Sequence, residues 1–588
     1  MLINNLKIAL RNFKKHRGYN FINVFGLALS LAAVLLIGLW IQSEYRVNRF
    51  HSNGEQIYKL YRSFPNERGA IEARAATPFP VSTAIAEKYP EINETTALLD
   101  QGNCLIIKDN ESFFSSGTYA YFSVFDIFDI PLIAGTKEGA DNEINGVFIS
   151  EKLATRYFGT DWKSKSIGEA MTIEGGDIGK EVFKVLGVFE NLPKQSDFQF
   201  EFVTNIKKFA AEHTRWASWG SSAFQTYALV NPNTDIEKLG QKISSIVAEN
   251  GGNENLKIHL QAFENTYLYS TFADGLPTGG RIEYVRIFSL AAAFLLLMAC
   301  INFINLTTAR ATRRAKEVGI RKVVGANQSA LVTQFMTETG LIVSISVVLA
   351  VGLVMSVIPF ANELLESTLA LNFTDPQLWI GLISLVGITT ILAGIYPSLV
   401  LSSYKIINIL KNKLTGRFDG QLFRKGLVVT QFVLSGMLLI SALLVQQQIN
   451  FIKNKNVGLD RNQVIHLNVP EELSEQTLAF KNQLLQHPNI ENVSHISQSP
   501  IDVGRATDDL SWAGKDPNQE VGIQFINADK DFAEVYKIKM ADGKFYQKAT
   551  KDVDGSEIVV NQRTVEIMKI TDPVSQQVQL GDFSFWFV

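Results

Sequence analysis

The stretch ARATRRAKEVGIRKVVGANQSALVTQF, residues Ala309–Phe335, decides the interpretation of this 588-residue chain. It lies directly between two long apolar runs and contains a single acid, Glu317. It also carries six cations: Arg310, Arg313, Arg314, Lys316, Arg321 and Lys322. Placing six cations in hydrocarbon would cost about 15–20 kcal/mol, at roughly 2.5–3.5 kcal/mol each. The stretch is therefore predicted to stay at a membrane surface.

Apolar runs of about 20 residues, the length that a helix needs to cross a bilayer, predict transmembrane helices on either side of this stretch. None of them contains Asp, Glu, Lys, Arg or His. A core helix of a soluble enzyme would show a polar face over such a length. The five predicted spans are Phe21–Ile41, Ile287–Thr308, Gly340–Phe360, Leu378–Leu401 and Leu427–Val445, the last continuing as helix to residue 448.

The short basic segments predict how the spans are oriented. Residues 1–20, 309–335 and 402–426 are rich in Lys and Arg, whereas the link between spans three and four has three acids and no cation. Positive loops remain on the cytoplasmic side, so the N-terminus is predicted to be cytoplasmic. Within residues 1–20, apolar and basic side chains alternate as in an amphipathic helix that lies on the inner leaflet.

Two large regions, residues 42–286 and 449–588, are then exported. Both alternate strand-like and helical patterns, which predicts α+β domains built from split βαβ units. The second region is expected to begin with a strand at Gln463–Val469, a helix at Glu471–Pro488 and a strand at Ile490–Ser497. The predicted fold class is therefore transmembrane α-helices plus α+β extracytoplasmic domains.

The two exported regions also resemble each other. VFDIFDIPLIAG (Val124–Gly135) resembles FAEVYKIKMADG (Phe532–Gly543), 408 residues further on. VFISEKLATRYFG (Val147–Gly159) resembles IVVNQRTVEIMKI (Ile558–Ile570) at a separation of 411 residues. A nearly constant separation predicts a duplicated unit of one span and one exported domain. Because the second unit stops inside its domain, we expect the chain to be a piece of a longer protein, which would continue with three more spans.

Neither exported region shows a catalytic motif. Six histidines (His51, His213, His259, His466, His487 and His495) are scattered singly, and Cys104 and Cys300 show no metal-ligand spacing. No catalytic residue, metal site or bound cofactor is therefore predicted. The net charge of −3 argues against nucleic-acid binding. The chain has no G-x-x-x-x-G-K-[ST] motif that would hold nucleotide phosphates, so any ATP with Mg²⁺ would bind a partner.

Four stretches resemble the MacB/FtsX-type permeases of ABC transporters, in their large duplicated form. They are Leu6–Ala32, Ile301–Glu338, AGIYPSLVLSSYK (Ala393–Lys405) and Phe423–Ile465. The resemblance implies a bacterial inner-membrane protein with MacB-like periplasmic core domains, each with a split βαβ lobe and an inserted β-rich lobe. It implies a cytoplasmic ABC ATPase dimer as partner, and extends to a periplasmic adaptor and an outer-membrane channel.

The resemblance also implies that the opening stretch is a coupling helix that seats in a groove of the ATPase. The residues assigned to this contact are Arg313, Arg314, Lys316, Glu317, Gly319, Arg321 and Lys322. Charge alone leaves an alternative open, in which these cations only set topology and bind anionic lipid headgroups. Gly319 and Gly325 would permit a close approach or a turn at the end of the helix.

Four further residues are candidates for hinge or interhelical roles: Asn302, Asn305, Glu338 and Pro397. The asparagines could bond to another span, Glu338 is expected to reach the membrane surface just before span three, and Pro397 should interrupt span four.

Two functions fit these features. One is export or extrusion of a peptide, drug or lipid-like substrate. The alternative is mechanotransmission to an extracytoplasmic enzyme such as a cell-wall hydrolase. An ion-driven transporter is disfavoured, because the spans contain no charged residue.

Overall fold

The structure of the protein is a computed structural model, and its description covers most of the chain. The described residues are 7, 11, 17–66, 69–108, 111–175, 179–309, 318–365, 367–403, 419–467, 469, 476–501, 503–504, 506–507, 510–515, 521–546, 556–574, 576–580 and 583–587. The chain divides into two compact units. One comprises Met1–Arg49 with Gly280–Lys453, and the other comprises Phe50–Gly279 with Asn454–Val588.

Five helices of the first unit are long and apolar enough to cross a membrane. They are M1 (Arg17–Arg46), M2 (Arg281–Ala309), M3 (Gln328–Leu365), M4 (Pro376–Ser403) and M5 (Asp419–Asn454). Each contains one predicted span and extends beyond it. M3 differs most, since it begins at Gln328 rather than at Gly340. We call the helix ends next to residues 318–326 the basic end, and the opposite ends the domain end.

M1 to M4 share one apolar core. Leu31 of M1, Cys300 of M2, Val343 of M3 and Ala393 of M4 are all almost completely buried in it. M3 and M4 come especially close at Gly394, where a Cβ would lie 2.9 Å from Met336 Sδ and 3.3 Å from Thr339 Cγ2. Small residues permit such close helix contacts in membranes.

M5 stands apart from this core. None of its most apolar window is buried. The Phe423 ring stacks on Tyr396 of M4 at 4.1 Å, and Ser435 Oγ donates to Met298 Sδ of M2 at 3.1 Å. M5 therefore contacts the other helices mainly through surface side chains and not through their shared buried core.

The region between M1 and M2, here domain 1 (residues 50–279), is an α+β domain. Its strands are β1 (Ile57–Pro65), β2 (Ile71–Arg74), β3 (Thr77–Pro78), β4 (Ile92–Lys108), β5 (Glu111–Ala120), β6 (Leu132–Gly135), β7 (Gly146–Ser150), β8 (Ala170–Glu174), β9 (Lys180–Phe189), β10 (Phe202–Asn205), β11 (Ser222–Val230), β12 (Lys257–Ala262), β13 (Thr271–Ala273) and β14 (Leu276–Gly279). Its helices are Val81–Lys88, Val124–Ile127, Glu151–Phe158, Trp162–Lys165, Ile206–Glu212, Ile236–Ile243, Ile246–Glu249 and Phe263–Thr266, with short 3-10 turns at Gly54–Gln56 and Ala140–Asn142.

One continuous sheet runs through domain 1 in the order β12-β1-β11-β4-β5-β10-β7-β9-β6. Most pairs are antiparallel, but β5–β10 and β7–β9 are parallel. Helices Val81–Lys88 and Ile236–Ile243 pack on the β1/β11/β12 part through Ile85, Leu239 and Ile243. The long β4–β5 hairpin, β8 and β9 form the strand-rich part. The α/β part and the strand-rich part of domain 1 thus share one continuous sheet.

The region after M5, here domain 2 (residues 454–588), contains shorter elements. They are helices Thr477–Leu484, Phe532–Val535 and Gln562–Met568, and strands β15 (Ala506–Thr507), β16 (Leu510–Ser511), β17 (Ile523–Gln524), β18 (Ser556–Ile558), β19 (Gln577–Leu580) and β20 (Phe583–Phe587).

Two strands expected near the start of domain 2 are wrong. The described residues between Gln463 and residue 469 form no strand, and Gln463 has a positive φ of 63°. Within Ile490–Ser497, one isolated bridge joins Ile496 to Ala528. Alternating side chains suit a strand only where a partner strand is in register, and no such partner occurs among the described residues.

The predicted repeat is confirmed in the backbone. Helices Val124–Ile127 and Phe532–Val535 start 408 residues apart. Each is followed, at the same separation, by a residue in the left-handed region, Asp129 (φ 52°) and Lys537 (φ 50°). These are unusual conformations for residues with side chains, so their recurrence is a specific sign of duplication.

The second pair of repeated segments agrees. Ser150 accepts a capping bond from the Leu153 amide, and Asn561, 411 residues later, accepts one from the Thr564 amide. The sheet order β16-β19-β20-β18 of domain 2 repeats the order β4-β8-β9-β7 of domain 1, with the same parallel and antiparallel pairings. Domains 1 and 2 therefore contain copies of one structural unit.

A glycine in β5 generates a testable prediction. Gly117 lies under the fully buried ring of Phe202 in the neighbouring strand, and a Cβ there would overlap the ring. We expect Gly117→Ala to lower the free energy of unfolding of the full-length protein by about 1–3 kcal/mol, the usual cost of overpacking. Thermal unfolding in detergent measures it.

The matched control is Gly240→Ala. Gly240 lies in helix Ile236–Ile243 with open space around its Cα, so alanine should be neutral or stabilise by up to about 1 kcal/mol. Equal stability of the two variants would contradict the close packing of Phe202 on β5.

Candidate coupling site at the basic end of the membrane helices

The basic stretch between M2 and M3 is described only in part. Arg313, Arg314, Lys316 and Glu317 lie outside the described residues. Residues 318–323 are helical and end in a turn before M3. Gly325, at φ 100°, donates its amide to Lys322 O at 3.1 Å, and the Ala326 amide donates to Arg321 O at 3.0 Å. This is a Schellman helix stop, so Gly325 forms the predicted turn.

An apolar contact holds this short helix on the start of M3. Val318 is buried against Leu331 and Phe335, with Ala326 packed at the edge. Since Leu331 and Phe335 are four residues apart, they lie on one face of M3. The apolar contact positions the neighbouring side chains Arg321 and Lys322 over the ends of M3 and M4.

Arg321 contacts M3. Its Nη1 donates to Gln334 Oε1, and Gln334 Nε2 donates to Glu338 Oε1 at 3.3 Å. Gln334 and Glu338 are each only 6% exposed. Buried polar groups are costly unless they are hydrogen-bonded, so this row of side chains gives Arg321 one defined location.

Lys322 contacts M4. Its Nζ donates to the carbonyl of Ser402 at 2.5 Å, in the last turn of M4, and Gln328 Nε2 approaches Ser402 Oγ at 3.4 Å. A cation at a helix C-terminus satisfies free carbonyls and favours the helix dipole. The short helix is thus attached to both M3 and M4.

The structure changes the interpretation of two predicted partner contacts. Arg321 and Lys322 were assigned to the ATPase groove, but both side chains bond to helices of the same chain. Gly319 is buried. The side chains that point outward from residues 318–325 are instead apolar: Ile320, Val323 and Val324 are 67%, 63% and 83% exposed. Their i, i+3, i+4 spacing in the sequence is the signal that places them on one face of the short helix.

The interhelical candidates have varied positions. Asn302 is exposed, with its Nδ2 3.8 Å from where a Cβ of Gly26 in M1 would be. Asn305 Oδ1 is buried and finds no partner among the described residues. Glu338, which is expected at the membrane surface just before span three, lies inside M3 and is buried among protein side chains. Pro397 lies inside M4.

The histidines of the two domains form separate structural contacts. His51 is buried, with Nδ1 2.7 Å from Phe128 O, and its burial lowers its pKa. His259 Nε2 lies 2.7 Å from Ser63 Oγ, and His466 Nε2 lies 2.9 Å from the Tyr536 hydroxyl. Within the described ranges, no three His, Cys, Asp or Glu side chains are grouped to hold a metal. The basic end of the helices is therefore the strongest candidate site.

Two family models match the chain. The MacB-like periplasmic core domain matches residues 20–246, and the FtsX-like permease C-terminal domain matches residues 289–406. The first match covers most of M1 and domain 1. The second covers nearly all of M2, then M3 and M4, and includes the basic stretch.

Curated relatives agree with these matches. The ABC transporter permease YknZ of Bacillus subtilis is 21% identical over 377 residues, which are 60% of this chain and 85% of that protein. The macrolide export ATP-binding/permease protein MacB of Psychrobacter cryohalolentis is 20% identical over 62% of this chain and 52% of its own length. MacB of Campylobacter jejuni is 26% identical over 37% of this chain and 32% of its own length. The chain thus spans about half or less of the MacB relatives that it matches.

Solved structures that are similar to this chain align with about a third of it. A domain of a permease protein from Porphyromonas gingivalis is 21% identical with a TM-score of 0.31, over 36% of this chain and 93% of that one. The periplasmic region of MacB from Actinobacillus actinomycetemcomitans is 15% identical with a TM-score of 0.26, over 35% and 89%. The extracellular domain of YknZ is 13% identical with a TM-score of 0.26, over 34% and 98%.

The Arg321–Gln334–Glu338 row generates a testable prediction. Gln334→Leu keeps the side-chain volume but removes one hydrogen-bond partner each from Arg321 and Glu338. We expect the free energy of unfolding to fall by about 1–3 kcal/mol, the cost of leaving buried polar groups underbonded. Thermal unfolding of the detergent-solubilised protein measures the change.

Thr333→Val is the matched control. Thr333 is exposed on M3 and its hydroxyl donates to Ser329 O of its own helix at 3.0 Å, so the change should stay within about 0.5 kcal/mol. If Gln334→Leu proved as stable as the parent, the buried polar row would not hold residues 318–326 on M3.

Proposed function

We propose that this chain, a MacB/FtsX-type ABC transporter permease, couples ATP hydrolysis by a separate cytoplasmic ATPase to movement of its exported domains. The movement serves export of a peptide, drug or lipid-like substrate. Three of the matched relatives are named macrolide export proteins, which favours export over activation of a cell-wall enzyme.

The observation that carries this proposal is the double attachment of the basic stretch. Residues 318–326 are joined to M3 by an apolar contact and by Arg321, and to M4 by Lys322. A segment at the membrane surface that a partner can grip, and that is fastened to two transmembrane helices, converts a push on that segment into movement of those helices. Lipid-binding or topogenic charge alone would need no such attachment.

Cytoplasmic exposure of this end follows from the charge distribution. The three basic segments, residues 1–20, 309–335 and 402–426, lie on one side if the N-terminus is cytoplasmic. Domains 1 and 2 then lie on the opposite, periplasmic side. Nucleotide with Mg²⁺ binds the partner in this scheme, because the sequence has no phosphate-binding loop.

The ATPase contact can be tested by charge reversal. Arg313→Glu with Arg314→Glu should reduce recovery of an ATP-binding partner with the tagged chain at least tenfold, because this proposal assigns both cations to the ATPase contact. Photolabelling of the co-purified proteins with an azido-ATP measures this recovery. Membrane insertion of the chain should not change.

A pair of lysines from another basic segment is the control. Lys411→Glu with Lys413→Glu changes the charge by the same amount in residues 402–426 and should leave recovery unchanged. Unchanged recovery with the arginine variant would refute the coupling assignment. Equal losses in both variants would show that general basic charge, rather than the stretch between M2 and M3, attracts the partner.

The orientation has its own test. In intact cells, a membrane-impermeant maleimide should label Glu237→Cys on domain 1 and should not label Val324→Cys at the basic end until the membrane is permeabilised. Both positions are exposed, whereas native Cys104 and Cys300 are buried and serve as the blank. Labelling of Val324→Cys first would place the basic end outside and contradict the proposal.

A further inference from the structure

Side chains at the domain end of M1 form two stripes, each with i, i+4 spacing. One stripe is Trp40 with Glu44, and the other is Gln42 with Arg46. In one stripe, the Trp40 ring meets Phe288 of M2 edge-on at 5.0 Å, and Glu44 Oε2 accepts from Arg281 Nη1 of M2 at 3.3 Å. Glu44 is buried whereas the Arg281 side chain is 53% exposed, so this ion pair lies at the edge of the contact between M1 and M2. This stripe joins M1 to M2 at the two points where the chain leaves for domain 1 and returns from it.

The second stripe joins M1 to M4. Arg46 forms an ion pair with Asp375, immediately before M4, and its Nη2 also donates to Gln377 Oε1 at 2.9 Å. Gln42 Nε2 donates to the same Gln377 oxygen at 3.1 Å. The hydrogen bond from Arg46 is the largest cause that lowers the pKa of Asp375. An aspartate is ionised at neutral pH in any case, and the lowered pKa of Asp375 extends the charged pair to more acidic pH.

M4 thus has a polar joint at each end. Its basic end receives Lys322 and Gln328 at Ser402, and its domain end receives Arg46 and Gln42 at Asp375 and Gln377. Ser402 and Gln377 are separated by about 38 Å along a helix that rises 1.5 Å per residue. Pro397, which interrupts the backbone bonding, lies close to the Ser402 joint and leaves the longer part of M4 unbroken.

M3 connects to M1 in a different way. M3 and M1 pack along apolar side chains such as Val347, Val354 and Leu31. Near its domain end, Asn362 of M3 bonds to Leu369 in the link that follows it, through both its amide nitrogen and its amide oxygen. Apolar packing is non-directional and tolerates sliding, whereas ion pairs and hydrogen bonds fix position.

We infer that M4 is the strut that carries movement of the basic segment to the base of domain 1. Lys322–Ser402 is its first joint and Arg46–Asp375/Gln377 is its second. The inference rests on the proposed coupling function for the source of the movement. Lys322, Arg46, Asp375 and Gln377 are positioning residues in this scheme, and they act through M4.

The test uses the full chain in membranes without any ATPase. Gln42→Cys and Gln377→Cys replace the two amides that meet at the second joint, and a short bismaleimide crosslinks them. If M4 links its two joints, adding Lys322→Ala at the far end should slow crosslinking at least twofold. The rate should be restored by Lys322→Arg, which keeps a cation at Ser402.

Arg321→Ala is the matched control, because it removes a neighbouring cation that hydrogen-bonds to Gln334 of M3 rather than to Ser402 of M4. It should leave the crosslinking rate within experimental error of the parent. An unchanged rate with Lys322→Ala would overturn the strut, as would an equal slowing with Arg321→Ala. Should Lys322→Ala express poorly, Lys322→Met retains the aliphatic stem and tests the same point.

The outcome is independent of partner binding. If Lys322→Ala leaves the crosslinking rate unchanged while the ATPase is still recovered with the chain, M4 is removed from the coupling scheme and the proposed function stays in place. If Lys322→Ala slows crosslinking but no ATPase is recovered with the chain, the two joints are linked through M4 and the proposed source of the movement is removed.

Discussion

The cost of placing charge in hydrocarbon organises this protein. The five predicted spans contain no charged side chain, so ion pairs and cationic hydrogen bonds are confined to the ends of the helices. Along their length, M1 to M4 contact one another through apolar residues and close glycine contacts such as Gly394 with Thr339. In the described part of the chain, the middle of the M1 to M4 bundle therefore packs mainly through apolar contacts, and its two ends carry the charged contacts that define position.

This division suits a protein that transmits movement. A basic segment is attached to M3 and M4 at one end, and side-chain stripes attach M1 to M2 and M4 at the other, so the charged contacts described among M1 to M4 lie outside the apolar middle of these helices. Arg46 and Arg281 flank domain 1 in the chain and each has an acidic partner in the membrane unit. In the proposed coupling scheme, force applied at the basic end would pass through these contacts to the end of M1 that leads into domain 1.

Much of the architecture could be predicted from the sequence. The spans follow from run length, and the duplication follows from segments 408 and 411 residues apart, which recur in the structure as matching helices, caps and left-handed residues at Asp129 and Lys537. The strand expected at Gln463–Val469 failed, because a strand requires a partner in register and local alternation does not supply one. The predicted span Gly340–Phe360 lies inside M3, whose helix begins twelve residues earlier at Gln328, because run length marks only the apolar part of a helix.

The candidate site, like the architecture, could be predicted only in part. Sequence by itself determined that a basic stretch must lie beside the membrane and that Gly325 could turn the chain, since charge and backbone freedom are properties of single residues. Only the tertiary structure decided that Arg321 lies against Gln334, that Lys322 caps M4 at Ser402, and that Glu338 is buried. These outcomes depend on which helix ends come together in space, and a cation far along the chain from its acceptor carries no local sign of that partner.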